Sequence, residues 1–271
     1  WPRLWAWGQA PPTRRRGRGQ RRRLEPMSTT IGPLTVLPAH REDIELHTAD
    51  GLTLVGEVAL PEHNTPAATL LTLHPLPTHG GYMDSHVYRK ASWRLPALAD
   101  VAVVRFNTRG TTSPRGTSEG AFDGGDAERF DVAALLEYGE FHDLPNRWLV
   151  GWSFGTELVL KHGADPSIEG AILLSPPLHR ASDADLDAWA SFGKPVTILV
   201  PEHDDYLQPD EARERFARIP QAKVIAGEGM KRLWVGESAV TWVLEQILAV
   251  VNPHALPLPR EWDGPFTTAG S

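Results

Sequence analysis

The pentapeptide Gly151-Trp152-Ser153-Phe154-Gly155 decides the fold of this chain, because it joins two segments of different character. The apolar run at residues 147–150 has the pattern of a buried strand, and residues 156–163 have the pattern of a helix. Glycines on both sides of a serine allow neighbouring backbone segments to approach closely at a sharp turn. The sequence therefore predicts a strand–turn–helix unit that holds the Ser153 hydroxyl out at the turn.

On both sides of this unit, short apolar runs alternate with helical patterns from Asp43 onward, which is typical of a mostly parallel sheet covered by helices on both faces. Asp50-Gly51 is a hairpin signal and indicates an antiparallel edge. We predict eight strands, at residues 44–47, 52–59, 68–73, 101–106, 148–150, 171–174, 196–200 and 223–226. We predict helices at residues 84–98, at 126–138 with Asp126 as the N-cap, after Ser153 as far as Gly163, at 210–219, and along an apolar stripe that ends at Val251.

The chain has 271 residues, 41% of them hydrophobic, and is long enough to bury one large core. Residues 1–26 contain eight arginines and one glutamate, and we expect this Arg-rich arm to be disordered. Translation upstream of a natural start at Met27 is one explanation of the arm. We place the folded domain at residues 27–252 and expect the Pro-rich tail, residues 253–271, to be disordered.

Composition argues against several classes of function. The net charge is −7 although the arm is basic, so the folded part is acidic and is a poor partner for nucleic acid. No apolar run is long enough to cross a bilayer. The absence of cysteine excludes disulfides and thiolate zinc sites and favours a cytoplasmic location. Motifs for phosphate cradles, dinucleotides and helical zinc sites are missing, so we expect no cofactor and no metal. The oligomeric state is left open.

The turn at Ser153 resembles a motif of the α/β-hydrolase family. A second resemblance lies in the loop His74-Pro75-Leu76-Pro77-Thr78-His79-Gly80-Gly81. Within the family, this loop is similar to the His-Pro-x-Pro…Gly-Gly loop of small bacterial esterase-like serine hydrolases. The resemblance covers about residues 43–251 and implies a three-layer fold with a serine, an acid and a histidine in that chain order. It implies a small-molecule acyl substrate and an oxyanion hole formed by the N–H groups of Leu76 and Phe154. Residues 79–81 are an alternative oxyanion loop, and we interpret His74 as a hydrogen-bonding residue that fixes the loop.

Only residues 175–193 separate the sixth and seventh predicted strands. This segment is too short for a large lid domain together with its crossover helix. The sequence therefore predicts an open site, which favours small or partly exposed acyl substrates.

The acid and the base are expected in two later turns. The acid of the family lies in a Gly-x-x-Asp turn, and the segment that resembles it here is Val200-Pro201-Glu202-His203-Asp204-Asp205-Tyr206. This resemblance implies that Asp204 is the acid, with Asp205 as the alternative. The base of the family lies in a Gly-x-x-His-x-x-x-Gly segment. The matching segment here resembles it and reads Gly229-Met230-Lys231-Arg232-Leu233-Trp234-Val235-Gly236, so that Arg232 occupies the histidine position. A guanidinium stays protonated and cannot accept the serine proton. Loss of the base lowers turnover by about a millionfold in a serine protease, so Arg232 predicts impaired catalysis.

Several alternatives remain open from the sequence. Arg232 could pair with Asp204 in a buried salt bridge. Four other histidines are candidates for a surrogate base: His79, His86, His203 and His254. Arg109 or Arg115, after the fourth strand, either meets an anionic substrate or belongs to a solvated, turn-rich loop.

Two functions follow from these patterns. The first is a serine hydrolase of carboxylic esters or related acyl bonds that forms an acyl-enzyme on Ser153, with turnover impaired by Arg232. The second is a catalytically silent protein of the same fold that binds an acyl-like ligand or a partner.

Overall fold

An eight-stranded sheet forms the centre of the computed structural model, which describes residues 27–270. The strands are β1 (His40–His47), β2 (Thr53–Leu60), β3 (Ala68–Leu73), β4 (Val101–Phe106), β5 (Arg147–Trp152), β6 (Gly170–Leu174), β7 (Val196–His203) and β8 (Ala222–Lys231). Their order across the sheet is β8-β7-β6-β5-β3-β4-β2-β1. Strand β2 runs antiparallel to both β1 and β4, and the other neighbours are parallel. The predicted eight-stranded, mostly parallel sheet is therefore confirmed.

Six helices cover this sheet: α1 (His86–Ala99), α2 (Arg129–Phe141), α3 (Phe154–His162), α4 (Asp183–Phe192), α5 (Pro209–Phe216) and α6 (Glu237–Val251). The apolar side chains of α1 and α6 form one core on one face of the sheet. Those of α2, α3, α4 and α5 form a second core on the opposite face. Every residue of β3 and β4 is buried, because both faces of these central strands are covered. The result is a three-layer α/β architecture.

Helix α2 begins later than predicted, since Asp126 is not its N-cap. The N-cap is Glu128, whose buried carboxylate accepts a hydrogen bond from the Asp123 N–H at 2.7 Å. Asp123 in turn accepts a hydrogen bond from the Ala127 N–H at 2.9 Å. These bonds fold the segment before Arg129 into a turn, which delays the start of the helix.

Helix α4 was not among the predicted helices. Its first turn has a capping box, in which Ser182 accepts a hydrogen bond from the Asp185 N–H while the Asp185 carboxylate accepts one from the Ser182 N–H. This short helix is the only helix between β6 and β7, and it carries no lid domain. The predicted absence of a large lid is therefore confirmed.

The C-terminal tail differs from the expected disorder. Thr29–Thr30 pairs with Glu261–Trp262, and Thr35–Val36 pairs with Thr267–Thr268, both antiparallel. Leu258 is buried in the core formed by α1 and α6. Backbone pairing and this apolar anchor give the tail a fixed position despite its many prolines. The Arg-rich arm, residues 1–26, lies outside the described residues.

Within residues 27–270, no helix combines the length and the apolar character that are needed to cross a membrane.

Candidate functional site

Ser153 lies at the junction of β5 and α3 in a backbone conformation that side chains rarely adopt, with φ 54° and ψ −113°. A Cβ atom placed on Gly151 would lie 2.5 Å from the carbonyl oxygen of Gly155, and one on Gly155 would lie 2.0 Å from that of Leu73. Only glycines allow β5, α3 and the end of β3 to come this close. Strain of this kind persists where the surrounding structure enforces it, and it is characteristic of functional sites. The predicted strand–turn–helix unit is thus present.

The structure brings Ser153, Asp204 and Arg232 together at the carboxyl ends of β5, β7 and β8. The Nη2 group of Arg232 donates a hydrogen bond to the Ser153 Oγ atom at 2.6 Å. Its Nη1 group lies 3.0 Å from each carboxylate oxygen of Asp204. The side chain of Asp204 is fully buried and that of Arg232 is 9% exposed. The buried salt bridge that the sequence left as one alternative is therefore present.

The surroundings of Asp204 and Arg232 fix both side chains. The Oδ1 atom of Asp204 also accepts hydrogen bonds from the N–H groups of Tyr206 at 2.8 Å and Leu207 at 3.1 Å. The Arg232 guanidinium lies 4.6 Å from the centre of the Tyr206 ring, a cation–π contact. Asp205 is exposed and makes none of these contacts. The geometry therefore favours Asp204 over Asp205 as the carboxylate of the site.

The backbone of Arg232 is also held in place. Its carbonyl oxygen accepts hydrogen bonds from the Ser175 hydroxyl at 3.0 Å and from the Trp152 indole N–H at 3.4 Å. Trp152 directly precedes Ser153, so the same contact ties the turn after β8 to the turn after β5. The position of residue 232 is consequently set by the fold as well as by its own side chain.

The loop after β3 is closed by hydrogen bonds between its own backbone groups. The N–H groups of His79 and Gly81 both donate to the carbonyl oxygen of Leu76, at 3.0 and 2.9 Å, and that of Gly80 donates to Pro77 at 3.4 Å. The Leu76 N–H has no acceptor within residues 27–270. Residues 79–81 use their N–H groups inside the loop, which argues against them as the alternative oxyanion loop.

The N–H group of Phe154 is the second donor predicted for the oxyanion hole. Phe154 is the first residue of α3, where backbone N–H groups have no acceptor inside the helix. The close contact between Gly155 and Leu73 places this helix terminus beside the end of β3, from which the Leu76 loop begins. Both donors thus lie at the same edge of the sheet as Ser153.

His74 fixes the Leu76 loop rather than taking part in proton transfer. Its Nε2 atom accepts a hydrogen bond from the Thr108 N–H at 3.1 Å, and its Nδ1–H donates to the Pro75 carbonyl at 2.7 Å. Burial lowers the pKa of His74 to about 4, so the ring is neutral at physiological pH. A neutral ring with both nitrogens engaged fits the interpretation of His74 as a loop-fixing residue.

The four candidate surrogate histidines make no hydrogen bond to the site in the described chain. Within residues 27–270, no histidine is hydrogen bonded to Ser153 or Asp204. His86 packs against Trp152 with ring centres 5.3 Å apart, and its Nε2 atom lies 3.1 Å from the Trp234 carbonyl oxygen. His79, His203 and His254 are exposed at other positions on the surface. In the described chain, the group that is hydrogen bonded to Ser153 is thus the Arg232 guanidinium and not an imidazole.

Two residues near the site were missed by sequence reasoning. The exposed ring of His179 lies 4.8 Å from the Tyr206 ring, on the loop between β6 and α4. The buried carboxylate of Glu157, in α3, accepts hydrogen bonds from the N–H groups of His179 at 2.7 Å and Arg180 at 2.8 Å. A charged residue among the apolar positions of α3 was the available signal for this anchor. Glu157 thereby fixes the loop that places His179 at the rim of the site.

The expectations for Arg109 need correction. This side chain is buried, with its Nε atom 2.9 Å from Asp131 and its Nη1 atom 2.9 Å from Asp50. It therefore fits neither an anionic substrate nor a solvated loop. Arg115 is partly exposed and is paired with Glu57 at 2.8 Å. Arg109 ties its loop to α2 and to the hairpin turn between β1 and β2, and Arg115 ties it to β2, because unpaired charges are costly in a buried or half-buried place.

A cavity of about 520 Å³ lies against Arg232, at the turn between β8 and α6. Its lining includes Met230, Leu233, Val235 and Ala239 beside the charged residues Asp205 and Lys231. Leu233 and Val235 are 57% and 76% exposed, which is unusual for apolar side chains of this size. Arg232 is thus shared between the charged site and a groove of mixed apolar and charged lining at the turn between β8 and α6.

Among residues 27–270, no cluster of three or more histidine, cysteine, aspartate or glutamate side chains is arranged to hold a metal ion.

Comparisons with known proteins point to one fold. No family model matches the chain, and no protein of curated function matches it. A lidless α/β serine hydrolase from Xanthomonas campestris is similar at 26% identity and a TM-score of 0.59, over 73% of this chain and 88% of that one. An α/β serine hydrolase homologue from Coxiella burnetii has 24% identity and a TM-score of 0.63, over 77% of this chain and 96% of that one.

A third similar structure is that of Est1E from Butyrivibrio proteoclasticus, which has ferulic acid bound. It shares 17% identity with this chain at a TM-score of 0.61, over 75% of this chain and 99% of its own length. The sheet order, the turn at Ser153 and these likenesses agree with one another. The chain has the α/β-hydrolase fold without a large lid domain.

Proposed function

We propose that this chain is an esterase-like serine hydrolase whose chemical step is slow because Arg232 occupies the place of the catalytic base. The observation that carries the proposal is the 2.6 Å hydrogen bond from Arg232 to the Ser153 Oγ atom, made while the same guanidinium is paired with Asp204. Serine, cation and carboxylate stand in the order of a Ser/His/acid triad, with a guanidinium in place of the imidazole.

In the proposed reaction, the Ser153 Oγ atom attacks the carbonyl carbon of a small ester. The new Oγ–C bond gives a tetrahedral oxyanion, and the N–H groups of Leu76 and Phe154 donate hydrogen bonds to it. Collapse breaks the C–O bond to the alcohol, whose oxygen takes up a proton from water, and leaves an acyl group on Ser153 that a further water molecule hydrolyses. The serine proton must pass to water, because no side chain of the site can accept it.

Arg232 has two opposing effects on this reaction. Its donated hydrogen bond favours a negative charge on the Ser153 oxygen, as a charge-assisted hydrogen bond does. The guanidinium cannot take up the proton, however, and it occupies one lone pair of the nucleophile. A triad without its base retains about 10³–10⁴-fold acceleration over water from the oxyanion hole and from binding. We therefore expect slow but measurable acylation.

The open site favours esters of small acids. Helix α4 is the only helix between β6 and β7, and no lid domain covers Ser153. The groove beside Arg232 offers an apolar wall for a short acyl chain. The cysteine-free composition favours the cytoplasm as the compartment of this activity.

A catalytically silent protein that binds an acyl-like ligand is the second candidate. The buried pairing of Arg232 with Asp204 favours it, because the pair satisfies the carboxylate that would otherwise orient a histidine. The two candidates differ in one property, the reactivity of Ser153 towards an acyl or phosphonyl group.

Labelling with a fluorophosphonate probe separates the two candidates. The full chain should become labelled slowly, Ser153→Ala should remain unlabelled, and the exposed hydroxyl variant Ser28→Ala should be labelled like the parent. Mass spectrometry of the labelled peptide should place the adduct on Ser153. A parent protein that stays unlabelled after long exposure would support the silent protein, and labelling that persists in Ser153→Ala would show that another residue is the nucleophile.

A further inference from the structure

We propose that Ser153, Arg232 and the N–H groups of Leu76 and Phe154 form a binding site for the carboxylate of a short apolar monocarboxylic acid, and that it holds this anion at neutral and alkaline pH alike. The inference rests on the site of the proposed function, but it does not require turnover. The ligand class is the acid that ester hydrolysis would release, here retained as a bound ligand.

The groups that we assign to this position are all hydrogen-bond donors. The Ser153 Oγ atom accepts its hydrogen bond from Arg232, so its own hydrogen points elsewhere and has no acceptor within residues 27–270. The Leu76 N–H is likewise without an acceptor in the described chain. The Phe154 N–H stands at the amino terminus of α3. A carboxylate offers about four lone-pair positions and no donor, and it is the complementary group.

Arg232 distinguishes this site from one that contains a neutral imidazole. A neutral histidine presents an unprotonated nitrogen to the serine, which repels a carboxylate, whereas a guanidinium presents only N–H groups. Nη1 is used by Asp204, and Nη2 donates to Ser153. The second N–H of Nη2 and the N–H of Nε make no hydrogen bond within residues 27–270, and Nε is not among the buried atoms that lack a partner. They are available to a ligand that lies beside Ser153.

The charge balance favours an anion of low charge over one of high charge. Arg232 contributes one positive charge and Asp204 one negative charge, while the carboxylate of Asp204 is buried and already accepts the N–H groups of Tyr206 and Leu207. The helix terminus adds about half a positive charge. One carboxylate adds a single negative charge to the site, whereas a phosphate dianion would leave a much larger uncompensated charge.

The groove beside Arg232 accounts for the apolar part of the ligand. Its wall consists of Met230, Leu233, Val235 and Ala239, and its volume of about 520 Å³ exceeds that of a short aliphatic chain. Leu233 and Val235 are exposed next to the buried guanidinium. A carboxylic acid whose carboxylate lies at Arg232 would cover these side chains, and removing their apolar surface from water favours binding.

Isothermal titration of the full chain with butyrate and with its neutral analogue butyramide tests the proposal. We expect butyrate to bind at least about tenfold more tightly than butyramide, a ratio that corresponds to about 1.4 kcal/mol. The ratio should stay constant between about pH 6 and about pH 9, because arginine remains charged over this range. In Arg232→His, it should fall as the pH rises above about 6.5, where an imidazole loses its charge.

Several other charged or titratable side chains lie near Arg232. Asp204 and Tyr206 contact the guanidinium, His179 packs against Tyr206, and Asp205, Glu228 and Lys231 line the groove. All of these residues are present in both proteins. A difference between the parent and Arg232→His therefore reports on residue 232.

Two further variants distinguish a failure of this inference from a failure of the proposed hydrolysis. Asp204→Asn combined with Arg232→Met removes both charges together, leaves no uncompensated buried charge, and should abolish the preference for butyrate. Ser153→Ala should weaken this preference without abolishing it, because it removes one donor and keeps Arg232, and it should lose fluorophosphonate labelling. Equal binding of butyrate and butyramide by the parent, or a preference that persists in the double variant, would overturn the inference. Labelled Ser153 without butyrate binding would contradict only the inference, and butyrate binding without labelling would contradict only the proposed hydrolysis.

Discussion

Replacement of Arg232 by histidine should raise the esterase activity of this chain. The remainder of the triad is already in position, because Asp204 is held by two backbone N–H groups and lies beside residue 232. The carbonyl of residue 232 is held by Ser175 and Trp152, so the backbone should not move on substitution. An imidazole at this position could donate one N–H to Asp204 and accept the serine proton at its other nitrogen.

The size of the gain follows from the step that is restored. A positioned general base contributes about 10²–10⁴-fold, which corresponds to roughly 2.7–5.4 kcal/mol of the activation barrier. We expect a gain in kcat/KM within this range. It should remain below the factor of about 10⁶ that a complete triad represents, because imidazole is shorter than the arginine side chain it replaces.

The assay is the hydrolysis of p-nitrophenyl butyrate as a function of pH. In Arg232→His, kcat/KM should rise with pH through a histidine titration near about 6.5, a limb that the parent lacks. Adding Ser153→Ala to Arg232→His should remove the gain, and Arg232→Lys serves as a control that keeps the charge. A folded Arg232→His protein that is no faster than the parent would refute the placement of residue 232 in the triad.

Three further predictions concern stability. Gly155→Ala should lower the free energy of unfolding by about 3 kcal/mol or more, since its Cβ would lie 2.0 Å from the Leu73 carbonyl oxygen. The control Gly32→Ala should change the free energy of unfolding little, because the added Cβ meets no close atom. Equal urea midpoints of the two variants would contradict this reasoning. Glu157→Gln should cost about 2 kcal/mol, because a charged acceptor of several N–H groups is lost, and an unchanged urea midpoint would count against it. Burial lowers the pKa of His74 from 6.5 to about 4, so the unfolded chain binds more protons than the folded chain between these pH values. Acidification from pH 6.5 to about 4 should therefore lower the free energy of unfolding by about 3 kcal/mol. Urea titrations at several pH values should show this loss, and His74→Gln should lack it.

Local patterns in the sequence were sufficient to predict most of the fold. The apolar runs of β3 and β4 predict buried central strands, and the glycines around Ser153 predict the sharp turn between β5 and α3. These features depend on neighbouring residues, whose preferences and spacing are visible in the chain itself. The start of α2 was predicted wrongly, because the contacts of Glu128 and Asp123 changed the competition between turn and helix.

The candidate site was predictable only in part. The order of Ser153, Asp204 and Arg232 along the chain resembles a family pattern, so their types and their order could be read before the structure was known. The hydrogen bond from Arg232 to Ser153 joins residues that are 79 positions apart, and it depends on how β5, β7 and β8 lie side by side.

By itself, the sequence determined the alternation of strands and helices, the turn at Ser153 and the absence of a histidine at position 232. Only the tertiary structure decided that Arg109 is buried, that His179 lies beside Tyr206 and that the tail packs against the amino-terminal strands. The physical reason is that local conformation is set by steric and hydrophobic preferences of adjacent residues. Contacts between distant residues depend instead on the burial of whole faces of the sheet and on the pairing of charges that this burial brings together.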